Sequence, residues 1–200
     1  MKNIILTDDS SDSAVRAAAD VVGAGGIVAM PFDTVYGFVC DPFSSAAVDS
    51  LNLLKGRSAN KTIGIAVSKV EDLKSIAETN SEIEQFISLK TPGKFTFVLN
   101  EKPGNTISDL CKRDGTIGVR IPNNDLVLAV AEASGGYLAQ TSANKSGESN
   151  CYSVDEIKSQ FSEAEVDSIG LIIDGGKLEP SDPSEIWNLT KKPFEKIERS

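Results

Sequence analysis

The sequence predicts an α/β fold in which one twisted, mixed β-sheet is flanked by helices. Strand-like and helix-like segments alternate through the first half of the chain, which is typical of α/β proteins. Strand-like segments follow one another near the C-terminus, which indicates antiparallel pairing there. With 200 residues, 40% of them hydrophobic, the chain has the size and composition of one domain, which we assign to residues 1–200.

Hydrophobic periodicity and turn residues place the elements of the N-terminal half. Apolar residues recur with helical spacing after Ser11, and a cluster of glycines at 23–26 ends that segment. An apolar run just before Pro31 is typical of a buried strand. The predicted elements are a strand at the N-terminus, helices over 11–22 and 44–54, and strands over 27–30 and 62–67.

The C-terminal half is richer in strands. Ser-x-x-Glu patterns, which can cap a helix, begin at Ser68, Ser81 and Ser153 and predict helix starts there. The other predicted elements are strands over 95–99, 116–121, 137–140, 169–173, 186–189 and 195–197, and a helix over 124–133.

The composition excludes several classes of protein. The chain has no histidine, which excludes a Ser-His-Asp triad, a histidine base and histidine metal ligands. Its three cysteines are scattered without a C-x-x-C pair, so we expect no disulfide framework, no zinc site and a reducing, cytoplasmic location. We expect neither a membrane span nor a signal peptide, because the apolar runs are too short. The net charge of −9 disfavours tight nonspecific nucleic-acid binding but allows a local basic cleft.

Two polar segments in the first half of the chain are candidates for chemistry. Segment 31–37, PFDTVYG, follows a buried strand, where α/β proteins commonly bind ligands. Thr34 and Tyr36 alternate toward one side there, although a polar turn with a core tyrosine is equally compatible. Segment 55–61, KGRSANK, has three cations around a glycine, which suit a polyphosphate, but cations also stabilise helix C-termini.

Two further polar segments lie in the second half. Segment 116–122, TIGVRIP, places Arg120 among apolar strand residues, where it either pairs with a structural carboxylate or binds an anionic ligand. Segment 141–147, TSANKSG, can bind phosphate oxygens, although taken singly it also matches an ordinary surface loop. The stretch 145–150, which contains Gly147, is the candidate for a loop that closes over a nucleotide. P-loop and G-x-G-x-x-G patterns are absent, which excludes the standard NTPase and Rossmann sites.

Taken together and in order, these segments resemble the threonylcarbamoyl-AMP synthase family, also called the YrdC-like family. The resemblance covers nearly the whole chain, through GGIVA, PFDTVYGF, KGRSANK, PGKFTFVL, GVRIP, TSANKSG and PSEIWNL. Its most specific feature is a K-x-R followed by an S-x-N, here Lys55-x-Arg57 and Ser142-x-Asn144. The resemblance implies a twisted sheet with a basic concave cleft, in a short form that lacks the extra C-terminal domain of some relatives.

The resemblance also implies an activity and a set of contacts. The family forms threonylcarbamoyl-adenylate and pyrophosphate from ATP, bicarbonate and L-threonine, and partner proteins then transfer the threonylcarbamoyl group to an adenosine of tRNA. The implied catalytic residues are Lys55, Arg57, Ser142 and Asn144. The implied ATP contacts are Arg57, Lys61, Thr116, Ser142, Asn150 and Arg199. The implied threonine contacts are Thr34, Tyr36, Arg120, Gln140 and Ser184. We expect Mg²⁺ to accompany ATP, without assigning it a protein ligand.

The sequence departs from the family pattern at four positions. Phe32 stands where many members have Thr, and Ala66 where longer relatives have His. Lys94 replaces the second proline of a Pro-Gly-Pro, and Glu185 replaces a Thr. A carboxylate at Glu185 would repel an anionic substrate if it faced the cleft.

Three alternatives remain at this stage. A nonenzymatic double-stranded-RNA-binding protein of the same fold would use the cleft for RNA, and weak RNA binding is compatible with a local basic patch. A carbamoyl-transfer enzyme contains this fold as one domain of a much larger chain. A structural or interaction domain would carry the motifs by coincidence.

Overall fold

A computed structural model describes residues 2–7, 11–56 and 62–198. Its helices are α1 (Ser11–Gly23), α2 (Ser45–Lys55), α3 (Leu73–Ile76), α4 (Ser81–Ser88), α5 (Asp125–Ala133), α6 (Val154–Gln160) and α7 (Glu163–Asp167). Its strands are β1 (Lys2–Ile5), β2 (Val28–Pro31), β3 (Tyr36–Cys40), β4 (Gly64–Val67), β5 (Phe95–Asn100), β6 (Lys112–Arg113), β7 (Thr116–Arg120), β8 (Tyr137–Ser142), β9 (Leu171–Asp174), β10 (Glu185–Asn188) and β11 (Glu195–Ile197).

The described strands form one mixed sheet in the order β1-β9-β2-β3-β8-β4-β7-β5-β10-β11, and β6 pairs with β7 outside this path. The prediction of an α/β fold with a single mixed sheet flanked by helices is therefore confirmed. Antiparallel pairing near the C-terminus joins β10 to β11, whereas β10 pairs in parallel with β5.

Helices cover the two faces of the sheet unequally. On the first face, α2 and α6 pack buried side chains such as Leu51 and Ile157 onto the sheet. On the second face, α1 and α5 contribute a separate core that includes Ala18 and Val130. Successive strand residues point to opposite faces, so strands β2, β3, β4, β8 and β9 supply side chains to both cores. Strands β5 and β7 supply side chains to the first core only.

The N-caps explain where several helices begin. Ser153 caps α6 as predicted, with its Oγ accepting a backbone hydrogen bond at 3.2 Å. The prediction for Ser81 is wrong by one residue, because the Asn80 side chain accepts two backbone hydrogen bonds at the start of α4. The pattern at Ser68 precedes only a 3₁₀ turn, Val70–Asp72, and the four-residue α3. A capping box that we did not predict opens α7 at Ser162.

The connection between β9 and β10 is an irregular crossover, residues 175–184. β9 is second in the sheet order and β10 is ninth, so the crossover passes the six strands between them. Its exposed residues include Lys177, Glu179 and Asp182. Leu178 anchors it by donating its N–H to the Tyr152 carbonyl at 2.8 Å.

Candidate functional site

A cleft of about 540 Å³ lies over the sheet beside the part of the second face that α1 and α5 cover. Small and polar residues from five neighbouring strands line it, among them Gly37, Gly64, Thr96, Gly118, Gln140 and Ser142. A Cβ at Gly64 would lie 2.8 Å from the Gln140 Nε2, so the end of the Gln140 side chain would have to move. The crossover forms a further wall through Ser181 and Pro183. This volume falls within the range of small-molecule and cofactor sites, roughly 300–1,000 Å³.

Two arginines, Arg113 and Arg120, are among the described residues that line the cleft, and no carboxylate is among them. Each guanidinium has an acidic partner just outside the lining: Arg120 pairs with Asp33, and the Arg113 Nε lies 3.7 Å from the Asp114 carboxylate. Because a guanidinium has five N–H donors, both arginines retain donors for an anionic ligand.

The predicted K-x-R and S-x-N motifs meet through the Lys55 ammonium group. α2 ends at Lys55 because Gly56 adopts a left-handed conformation with φ 60°. The Lys55 Nζ donates to the Ser142 carbonyl at 2.5 Å and to the Ser142 Oγ at 3.2 Å. It also donates to the Asn144 carbonyl at 2.8 Å and to the Asn144 Oδ1 at 3.0 Å. Lys55 is only 3% exposed, so in this structure it organises the S-x-N loop from behind, a role that the sequence did not predict.

Arg120 forms an ion pair at the edge of the cleft. Its Nη2 donates to the Asp33 Oδ1 at 2.6 Å, and the other Asp33 oxygen accepts the Asn123 N–H at 3.0 Å. Both charged side chains are buried, at 7% and 4% exposure. The Phe32 ring lies 5.9 Å from the guanidinium carbon. Arg120 thus has the structural carboxylate partner that we considered, and it also lines the cleft.

Tyr36, a predicted threonine contact, lines the cleft and also makes structural hydrogen bonds through its hydroxyl. It is fully buried, and its hydroxyl donates to the Gly176 carbonyl at 2.8 Å and accepts the Gly175 N–H at 2.9 Å. Burial raises the pKa of this hydroxyl to about 12, and the nearby Asp174 adds to the increase. Its hydroxyl is therefore bonded to the first residues of the crossover, although Tyr36 also contributes to the cleft wall.

The remaining predicted threonine contacts lie together in the cleft wall: Thr34, Gln140 and Ser184. Ser184 is 8% exposed, and its Oγ lies 3.1 Å from the Thr96 Oγ1 of β5. Thr96 lies on β5, and Ser184 directly precedes β10, which pairs in parallel with β5, so the two hydroxyls are neighbours. The wall therefore offers several hydroxyl and amide groups close to Arg120.

The predicted ATP contacts are only partly described. Thr116 and Asn150 line the cleft together with Ser142. Thr116 donates its hydroxyl to the Arg113 carbonyl at 2.7 Å. The other predicted contacts lie outside the described residues: Arg57, Lys61 and Arg199.

The departures from the family pattern do not place an acid in the cleft. Glu185 faces away from it and accepts hydrogen bonds from Lys196 at 2.9 Å and from Trp187 at 3.1 Å. The bond from Lys196, followed by that from Trp187, lowers the pKa of Glu185. Lys94 is exposed, and Ala66 is buried in the core of the second face.

Sequence reasoning missed Arg113, which lines the cleft at the end of β6. The signal was the pair Asp114-Gly115, whose φ values of 50° and 74° form the tight turn between β6 and β7. Asp-Gly pairs favour such two-residue hairpins. The hairpin sets Arg113 opposite Thr116 and so brings a second guanidinium to the cleft.

The described part of the chain contains no group of three or more His, Cys, Asp or Glu residues placed to hold a metal ion. Within the same residues, no helix is both long and apolar enough to cross a membrane.

Comparison with known proteins identifies the family to which this chain belongs. The model of the Sua5/YciO/YrdC family, described as "Telomere recombination", matches residues 20–200. This chain therefore belongs to the Sua5/YciO/YrdC family. The predicted resemblance to the YrdC-like family is confirmed.

Named relatives agree over most of this chain. It is 35% identical over 172 residues to threonylcarbamoyl-AMP synthase of Mus musculus, covering 86% of this chain and 59% of the mouse protein. It is 34% identical over 181 residues to threonylcarbamoyl-AMP synthase of Shigella boydii, covering 88% of this chain and 93% of that protein. The chain thus spans about three fifths of its mammalian relative and nearly all of its bacterial one.

Solved structures share the architecture. P. abyssi Sua5 complexed with L-threonine superposes with a TM-score of 0.84 at 28% identity, over 96% of this chain and 55% of that one. E. coli YciO superposes with a TM-score of 0.81 over 98% of this chain and 93% of that one, and at 22% identity it supports the fold alone.

Proposed function

We propose that this chain is an L-threonylcarbamoyladenylate synthase, a nucleotidyl-transferring enzyme. It would convert ATP, L-threonine and bicarbonate into threonylcarbamoyl-AMP, pyrophosphate and water. Family membership supports this activity, and so do the names of relatives that are 34–35% identical. The observation that carries the proposal is a single cleft that is lined both by Ser142 of the S-x-N motif and by Arg120.

The chemistry requires no histidine. The threonine amine captures carbon dioxide or bicarbonate to give a carbamate. A carbamate oxygen then attacks the α-phosphorus of ATP, the bond to the β-phosphate oxygen breaks, and pyrophosphate leaves. Such adenylyl transfer depends on alignment and charge stabilisation more than on a strong protein base.

The two ends of the cleft would bind different parts of the substrates. Ser142, Thr116 and Asn150 would bind and orient ATP. Lys55 and Asn144 would hold the S-x-N loop in shape. Arg57, Lys61 and Arg199 remain predicted ATP contacts on sequence grounds, because they lie outside the described residues. Mg²⁺ usually binds substrate phosphates and keeps several waters, so we propose that it arrives with ATP.

At the other end, Arg120 would bind the threonine carboxylate while it remains paired with Asp33. A guanidinium has five N–H donors, so one can serve Asp33 and others a substrate carboxylate. Thr34, Gln140 and Ser184 would contact the rest of the amino acid.

The product would be used by a second step. Threonylcarbamoyl-AMP is a mixed anhydride, so a transfer protein must deliver its acyl group to tRNA. We propose that this chain acts in tRNA threonylcarbamoyl modification in the cytoplasm, with downstream transfer proteins as partners.

Pyrophosphate release tests the proposal directly. We expect release from ATP only when L-threonine and bicarbonate are both present, with ¹⁴C from labelled bicarbonate appearing in a threonylcarbamoyl-adenylate product. Reactions without threonine or without bicarbonate are the controls. Release that does not depend on threonine would indicate another nucleotide reaction, and absence of release would refute the enzyme.

The alternative of a nonenzymatic double-stranded-RNA-binding protein has no specific support in the structure. A filter-binding assay with a salt series checks it, because phosphate contacts make RNA affinity strongly salt-dependent. Tight binding of duplex RNA by a protein that releases no pyrophosphate would favour this alternative.

A further inference from the structure

One side-chain amide outside the cleft binds both ends of the loop that follows the S-x-N motif. The Gln160 Oε1 accepts the Lys145 N–H at 3.0 Å, and its Nε2 donates to the Ser149 carbonyl at 2.8 Å. These two loop positions are four residues apart. A single planar amide, which offers one acceptor and two donors, can satisfy both.

Asn144 holds the same loop from the inside. Its Nδ2 donates to the Lys145 carbonyl at 2.9 Å and to the Glu148 carbonyl at 2.7 Å. Its Oδ1 accepts from Lys55 at 3.0 Å. Asn150, the residue directly after the loop, lines the cleft. The loop is thus held by the buried Asn144 amide on one side and by Gln160 of α6 on the other.

The packing of α6 fixes the backbone position of Gln160. Ser153 caps the helix, and Ile157 is fully buried one turn before Gln160. Phe161, which follows Gln160, packs edge-to-face on Phe38 with the ring centroids 5.5 Å apart. The amide therefore projects from a backbone fixed on both sides by the core.

Given the function proposed above, we propose that Gln160 is a positioning residue for the nucleotide. It contacts no part of the cleft's substrate wall, and it acts through loop 145–149 on Asn144 and Asn150. The predicted consequence is selective: losing the amide weakens ATP binding and leaves threonine binding at the distant Arg120 end unchanged.

The experiment compares Gln160→Ala, Gln160→Glu and the control Lys158→Ala, an exposed side chain of the same helix. Calorimetric titration with ATP gives the Kd without any turnover, pyrophosphate release gives the KM for threonine, and thermal unfolding gives Tm. We expect the ATP Kd to rise about tenfold in Gln160→Ala, or about 1.4 kcal/mol, which corresponds to the loss of two partly exposed hydrogen bonds. Glutamate keeps the acceptor for the Lys145 N–H but sets a charged acceptor oxygen against the Ser149 carbonyl, so we expect its ATP Kd to rise at least as much. Lys158→Ala should match the wild type, and the threonine KM should stay within about twofold in all variants.

Two results would overturn the inference. One is an unchanged ATP Kd in a folded Gln160→Ala protein. The other is a parallel loss of ATP binding, threonine KM and Tm, which would make Gln160 merely part of the fold. A wild type that binds ATP but shows no threonine-dependent release would refute the proposed function, while the ATP titrations would still decide the role of Gln160.

Discussion

Replacing Lys55 with methionine tests the link between the two halves of the site. Methionine keeps much of the aliphatic volume but removes the ammonium group, whose three N–H donors serve four oxygens of Ser142 and Asn144. The Lys55 residue is only 3% exposed. Loss of one partner from a buried, charged hydrogen-bond group typically costs about 3–5 kcal/mol, because the remaining acceptors stay desolvated. This is a large part of the ~5–15 kcal/mol by which a domain is stable.

The magnitude converts into a measurable shift. For a chain of this size each kcal/mol moves Tm by roughly 2–4 °C, so Lys55→Met should lower Tm by about 6–20 °C. We expect turnover to fall about 10²-fold or more at a temperature where the variant is folded, because the S-x-N loop loses its anchor. Circular dichroism and pyrophosphate release measure the two effects.

A matched control removes the same charge elsewhere. Lys69 is exposed, so Lys69→Met should leave Tm and turnover unchanged. The reasoning is refuted if Lys55→Met keeps a wild-type Tm and a wild-type rate, since these hydrogen bonds would then contribute neither stability nor alignment.

Three further substitutions separate the parts of the site. Arg120→Lys retains a charge for Asp33 but loses the planar fork, so the threonine KM should rise roughly 10- to 100-fold with little change in ATP Kd, and an unchanged KM would make Arg120 purely structural. Gly118→Val should fill part of the cleft without unfolding the protein, because a Cβ at Gly118 would lie 3.8 Å from its nearest neighbour, Thr96. We expect ATP binding to weaken at least about tenfold while Tm stays within about 2 °C. Unaltered ATP binding would show that ATP does not lie over Gly118. The backbone hydrogen bond from Ser162 is the largest cause of the lowered pKa of Glu165, about 2 against an ordinary 4.5. A lowered pKa means that the contribution of Glu165 to stability is complete above about pH 4.5 and is lost as the pH falls through 2. The free energy of urea unfolding should therefore depend less steeply on pH in Glu165→Gln than in the wild type. Identical slopes of this free energy against pH would contradict the prediction.

Sequence reasoning found the members of the site better than their roles. The motifs correctly brought Lys55, Ser142, Asn144 and Arg120 into one region, because each lies beside the end or interior of a strand in one sheet. The sequence did not show that the Lys55 ammonium group points at oxygens of Ser142 and Asn144. The direction of a long side chain depends on how its helix packs against the sheet.

Other details also depended on local structure. The Tyr36 side chain packs in the first core while Gly37, the next residue, faces the cleft, and no motif shows which face of the sheet a side chain takes. Asn80 outcompetes Ser81 as an N-cap because its side chain reaches two backbone N–H groups at once. The residues on either side of Glu185, Ser184 and Ile186, face the cleft, so Glu185 itself faces away. The sequence does not show this orientation, because it depends on how β10 pairs with β5.

The length of the crossover 175–184 limits how far this segment can move away from the sheet. Neighbouring strands lie about 4.8 Å apart, so the seven steps from β9 to β10 amount to ~34 Å along a flat sheet. Ten linking residues can reach at most about 36 Å when fully stretched. The segment therefore has little spare length over the sheet, and we expect that inserting a few glycines into it would let it move further from the cleft.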